Sequence, residues 1–177
     1  MDIAARLEAE HSKSLTTAIV AYVGEDKKRF AVLMKVFLKG ESRVSQRAAW
    51  PLSFIAEKEP KLMMPYFDQL IKKLEQRNQH PAIARNILRS FQQIDIPEKH
   101  HGLLVDLCFA FIIDQTCPAA IRAFAITVAT NICRLYPELK NELYLVLTEL
   151  NQFPQLPAVK SRTKLSLKSL GYLNSKI

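Results

Sequence analysis

Residues 118–137 run Pro118-Ala119-Ala120-Ile121-Arg122-Ala123-Phe124-Ala125-Ile126-Thr127-Val128-Ala129-Thr130-Asn131-Ile132-Cys133-Arg134-Leu135-Tyr136-Pro137. A proline opens the stretch and another closes it. Between them Ala119 to Cys133 is apolar almost all round, which predicts a central helix touched by neighbours on both sides. Proline is tolerated in the first turn of a helix, where its missing N–H has no intrahelical acceptor to lose. The same punctuation recurs outward from this stretch. Pro60, Pro81, Pro97, Pro118, Pro137 and Pro157 stand 21, 16, 21, 19 and 20 residues apart, each near the start of an amphipathic run. This spacing predicts helices of about 15 residues.

The runs themselves follow the helical period. Leu15, Ala18, Ile19, Tyr22 and Val23 form one stripe, broken at Gly24, and Phe30, Leu33, Met34, Phe37 and Leu38 form the next, closed by Gly40. Ser42 is placed to cap a third helix. Leu62, Tyr66, Phe67, Leu70, Ile71 and Leu74 mark a fourth, and Ile83, Ile87, Leu88, Phe91 and Ile94 a fifth. Leu103 to Ile113, like Ala119 to Cys133, is apolar almost all round, so both predict central helices. Leu139, Leu143, Val146, Leu147 and Leu150 return to a one-sided stripe. Pro157 to about Leu173 is the least apolar run and reads as an end cap.

Length and composition exclude other classes. With 177 residues the chain is expected to form one domain, 1–177, and 49% hydrophobic residues fill its core. Four glycines and few alternating windows exclude an all-β domain. No run approaches the roughly 18 apolar residues of a membrane span. Met1-Asp2-Ile3 begins without an apolar signal core, which predicts a cytoplasmic protein. Cys108, Cys117 and Cys133 have neither C-x-x-C spacing nor a histidine at finger spacing, so a reduced compartment and no metal are expected.

Alternate helices carry a weak repeat, with Arg47, Arg85, Arg122 and Arg162 separated by 38, 37 and 40 residues. Arg47-Ala48-Ala49-Trp50, Pro81-Ala82-Ile83-Ala84-Arg85 and Pro118-Ala119-Ala120-Ile121-Arg122 share a small-residue, arginine-bearing helix, followed by one opened by proline. Over residues 12–173 the chain resembles the HEAT-repeat (armadillo-like) family, although the first pair, about residues 12–39, lacks the arginine. The resemblance implies an all-α, right-handed superhelix of about four helix pairs and a C-terminal capping helix. Stacking is needed because one pair cannot bury its own apolar face. A four-helix bundle competes, but eight or nine helices with short loops are too many for it.

No motif specifies catalysis, and no catalytic residue is expected. The four arginines fit either a phosphate-binding row or, as the resemblance implies, a ladder tying repeats together. Trp50, with Pro51 inside its helix, is either core or a stacking platform for a base. His100, His101, His80 and His11 have no partner at acid–base or ligand spacing and are assigned to helix caps and surface. No Gly-rich loop cradles a nucleotide, so no cofactor is expected. Alkylpurine DNA glycosylases are built on HEAT-like repeats, but their aspartate framed by tryptophans has no match around Trp50, whose nearest aspartate, Asp68, falls in the next helix. Glycosylase activity is a minor alternative.

The net charge of +8 is unevenly spread. Residues 1–26 carry −3, residues 27–47 carry +6, residues 103–150 carry −2, and five basic residues follow Glu149 without an acid. In the resembling family the second helix of each pair lines the concave side. That row runs through Lys28, Lys35, Lys39, Lys61, Asp68 and Lys72 to Asp106, Glu142 and Glu149. It grades from basic to acidic, which suits a bipolar protein or peptide partner better than a polyphosphate. The alternative partner is nucleic acid, with weak affinity, met by Lys27, Lys28, Arg29, Lys35 and Lys39 and by the stripe Lys160, Lys164 and Lys168.

Overall fold

The computed structural model describes residues 1–76, 78–150 and 152–173. Its helices are α1 (Ile3–Ala9), α2 (Lys13–Val23), α3 (Lys27–Lys39), α4 (Ser42–Lys58), α5 (Phe67–Glu75), α6 (Pro81–Phe91), α7 (His101–Ile113), α8 (Ala119–Cys133), α9 (Pro137–Leu150) and α10 (Pro157–Ser169). No strand occurs among the described residues, so the fold class is the all-α one expected. Both glycine breaks hold. Gly24 ends α2 at φ 48°, a backbone that side chains with a Cβ rarely adopt. Gly40 ends α3 so close to its last turn that a Cβ there would lie 2.4 Å from the Val36 carbonyl oxygen.

The caps explain where helices start. Asp2, Ser12 and Asp26 each accept from backbone N–H groups in the first turns of α1, α2 and α3. Ser42 does not cap; it is the first residue of α4, behind Glu41, which makes no side-chain cap bond. The run from Leu62 also starts differently, because Pro60 and Pro65 shorten the hydrogen-bonding register. Two 3-10 turns, Pro60–Leu62 and Met64–Tyr66, precede α5. Helix α1, with only Ile3 and Leu7 buried, is an element the periodicity did not announce.

Asp26 makes the α3 cap pH-sensitive. Its carboxylate accepts from the backbone N–H of Arg29 at 3.1 Å and of Lys28 at 2.8 Å, and the Arg29 bond foremost holds its pKa below the ordinary 3.8. A depressed folded pKa gives stability that is complete above 3.8 and lost as pH falls through the lower folded value. Asp26→Asn is therefore expected to lose less stability than the native chain between neutral and strongly acidic pH, as urea midpoints measured at both will show.

The chain forms two compact units, Met1–Asp95 and Ile96–Ile177. In the first, α4 is the hub, touching α1, α2, α3 and α6. Its packing face is made of small residues, Ala48, Ala49, Ser53 and Ala56, with Leu52 and Ile55, which lets neighbours approach closely. Ser45 donates to the Phe37 carbonyl at the end of α3 at 2.5 Å. Phe91 of α6 stacks on Phe67 of α5 with centroids 5.3 Å apart. Pro51 sits buried inside α4, where it removes one intrahelical bond from the Arg47 carbonyl.

In the second unit α8 is the hub, touching α7, α9 and α10. The Thr130 and Ser166 hydroxyls meet at 2.5 Å between α8 and α10. Helix α10 ends at Ser169, not Leu173, and Tyr172 turns back to stack on Tyr144 of α9 at 4.2 Å. Cys108 and Cys133 are buried, as read from the sequence. Burial, then the neighbouring Cys133, raises the Cys108 pKa, and burial followed by Glu142 pushes Cys133 up to about 12. A thiol reagent at neutral pH is therefore expected to modify only half-exposed Cys117 in the native chain and all three cysteines after unfolding.

Candidate partner-binding surfaces

Packing shows the repeat register directly. In the first unit the Phe30 and Tyr66 rings lie 5.6 Å apart and the Lys73 ammonium lies 5.3 Å from the Phe37 ring, both pairs being 36 residues apart. Helix α3 and the segment leading into α5 therefore run side by side in the same direction. Burial pulls the Lys73 pKa down in this seam. Outward from it Lys28, Lys35, Lys39, Lys61, Asp68 and Lys72 are all exposed. Two aliphatic side chains accompany them in solvent, Val32 at 50% and Met64 at 46% exposure. The register sets Lys28 level with Met64 and Val32 level with Asp68.

The second unit repeats the arrangement with the other sign. His101 Nδ1 lies 2.9 Å from the Tyr136 hydroxyl, 35 residues on, which aligns α7 with α9. Asp106, Glu142 and Glu149 are exposed, and that register sets Asp106 level with Asn141, the residue before Glu142. The expectation that α7 is covered on both sides fails here. Leu103 is 45% and Ile113 61% exposed, because α7 turns only His101, Leu104, Val105, Cys108, Phe111 and Ile112 inward. The result is an aliphatic row beside acids. Asn141, in the same helix as Glu142, accepts from the Tyr172 hydroxyl at 2.6 Å.

The arginine ladder is half realised. Arg47 Nη1 donates to the Leu7 and Glu8 carbonyls at 2.7 and 2.9 Å, in the last turn of α1. Arg122, only 4% exposed, donates from Nε to the Ile112 carbonyl near the end of α7 at 3.1 Å, and from Nη2 to Gln155 at 3.0 Å. Each hub helix thus spends its arginine on the electronegative C-terminus of a neighbour. Arg85 is exposed and Arg162 half-exposed. Arg89, four residues past Arg85, instead lies 4.5 Å over the Phe54 ring, 3.7 Å from Glu57.

Other singled-out residues divide. His80 caps α6, its Nδ1 accepting from the Ala82 N–H at 3.2 Å. His100 and His101 are buried, not at the surface. Both His101 nitrogens are engaged, Nε2 lying 2.8 Å from the Ile96 carbonyl, so the ring ties the start of α7 to α9. Trp50 is half-buried, with the His11 ring 5.5 Å and the Phe54 ring 6.4 Å away. Arg29 is held locally, donating to the Tyr22 carbonyl at 2.7 Å, lying 3.4 Å from Asp26 and 4.5 Å over the Tyr22 ring. Lys27, Lys160, Lys164 and Lys168 are exposed, the last three along the outer side of α10.

Sequence reasoning missed one feature. A half-open cavity of about 310 Å3 lies against α2 and the C-terminal end of α4. Among the described residues no cluster of His, Cys, Asp and Glu is arranged to hold a metal ion, and no helix is long and apolar enough to cross a membrane.

Hub helices, packing registers of 36 and 35 residues and small-residue seams define a helical-repeat protein. A family model for the HEAT repeat domain matches residues 3–170, and the chain belongs to that family. The match takes in α1, outside the span over which the sequence resemblance was drawn. HEAT repeats generally serve as protein-interaction scaffolds. Neither curated proteins nor solved structures gave a match to the chain.

Proposed function

We propose that this HEAT repeat protein is a non-catalytic binding module that takes a bipolar protein or peptide segment. Lys28, Lys35, Lys39, Lys61 and Lys72 would meet its acidic part, with Asp68 among them taking a basic side chain, and Asp106, Glu142 and Glu149 would meet its basic part. One observation carries the reading: equivalent exposed rows in the two units have opposite charge, and each row includes exposed aliphatic side chains. Aliphatic anchors bounded by charge suit a protein surface, where burial supplies affinity and charge supplies orientation. We further propose that residues 1–177 act as one repeat domain, for which a single cooperative unfolding transition is the expected result.

Nucleic acid is the competing partner, favoured by exposed Lys27, Lys28, Lys35 and Lys39 and by the α10 stripe. Arg29 is committed to Asp26 and Tyr22, which weakens that cluster as a phosphate clamp. Salt separates the two readings. If nucleic acid is the ligand, neutralising five to eight phosphates gives a log–log salt slope of about −5 to −7. The expected result is weak nucleic-acid binding that vanishes near physiological salt, alongside capture of a protein partner that survives nuclease treatment. Tight nucleic-acid binding at that salt would reverse the assignment. The glycosylase alternative has less support, since Trp50 has His11 and Phe54 as ring neighbours while Asp68 points to solvent; no base release from alkylated DNA is expected.

A further inference from the structure

The cavity against α2 and α4 lies on the helices that carry neither charged row, and it has a distinct shape. Its α2 wall extends from Lys13 to Gly24, a rise of about 16 Å along the helix axis. A volume of about 310 Å3 spread over that length makes the cavity an elongated groove and not a round pocket. The size falls at the lower end of the usual range for small-molecule sites, roughly 300–1,000 Å3.

Its chemistry matches the shape. Val20, Phe54 and Ile55 supply apolar wall, and on α2 the exposed Thr17 and Ala21 are small enough to leave the groove open. Thr16 also lines it, but its hydroxyl is satisfied by the Ser12 carbonyl at 2.9 Å, so its methyl is what remains for a ligand. The charged lining residues are Lys13, where α2 begins, and Lys58 with its sequence neighbour Glu59, where α4 ends, so the cation without an acid beside it among the lining residues is Lys13. An aliphatic chain ending in a negative charge satisfies both the apolar walls and Lys13.

We propose that this groove binds a medium-chain aliphatic carboxylate, its chain along α2 and its carboxylate at Lys13, where α2 begins. The site is independent of the charged rows, so the partner-binding reading stands or falls separately. Trp50, the one tryptophan of the chain, has its ring 6.4 Å from that of Phe54 and reports occupancy through its emission.

The test titrates the full chain with sodium decanoate below its micelle concentration, following Trp50 emission and calorimetric heat. Hexanoate and decyltrimethylammonium serve as comparators. Saturable binding of one decanoate is expected. Each methylene buried is worth roughly fourfold, so hexanoate should bind more than tenfold more weakly. The cationic amphiphile should also be at least tenfold weaker, and Lys13→Glu should reduce decanoate affinity more than Lys58→Glu does. Ala21→Phe, at an exposed position that leaves the core untouched, should abolish binding with helix content unchanged; Thr17→Leu is the second filling variant, should the first fail to fold. Absence of calorimetric binding, equal affinity for the cation, no dependence on chain length, or retention in the folded filling variants would each overturn the assignment.

Discussion

Phe91→Ala is expected to destabilise the chain by about 3–5 kcal/mol, the range for a fully enclosed aromatic. Phe91 is wholly buried at the end of α6, and its ring stacks on Phe67, the first residue of α5. Helix α5 has only nine residues, too few to persist without packing, so losing this stack removes what holds its N-terminal end. Urea unfolding of the two proteins measures the effect. Ile113→Ala is the internal comparison, since Ile113 is 61% exposed and its truncation should change stability by less than about 0.5 kcal/mol. A core-sized loss at Ile113 would mean that something covers the α7 row.

Arg122→Ala is expected to cost about 2–4 kcal/mol, because it removes two charge-assisted bonds from a buried setting and leaves the Ile112 carbonyl without this donor. Arg122→Lys should recover little of that. A single ammonium cannot reproduce the fork in which Nε reaches α7 while Nη2 reaches Gln155. Arg47→Ala should cost less, since Arg47 is only half-buried. A phosphate-binding row predicts the opposite pattern: both substitutions would leave stability unchanged and would weaken polyanion binding. Chemical unfolding and a heparin-binding measurement on the same two variants distinguish these outcomes.

Where helices begin and end was legible because proline and glycine act through the local backbone. Pro81, Pro137 and Pro157 are first residues of α6, α9 and α10, Pro118 directly precedes α8, and Gly24 and Gly40 end α2 and α3. The same reasoning missed α1, whose two buried residues make too short a stripe to stand out, and it gave Ser42 a cap that the chain does not use. Pairings between helices were harder to read. The arginine period placed Arg47 and Arg122 in equivalent positions, yet their acceptors are carbonyls, which carry no sequence signature. His101 gave no signal for the same reason, because its partners, the Ile96 carbonyl and Tyr136, are specified by packing. The α2 and α4 groove depends on which exposed small residues happen to face each other across two helices. The charged rows were visible as single positions, while their aliphatic companions Val32, Met64, Leu103 and Ile113 were hidden, since periodicity assigns apolar residues to the core.

Binding by rows of opposite charge is tested most directly by reversing each row and measuring affinity for the captured partner. Lys28→Glu with Lys35→Glu forms one variant, and Glu142→Lys with Glu149→Lys the other. Both positions are exposed in each case, so both variants should fold. A bipolar protein partner predicts that each pair weakens binding, by roughly tenfold or more, and that both effects shrink as salt rises. Loss in the first variant together with tighter binding in the second would contradict the account and identify a polyanion as the ligand.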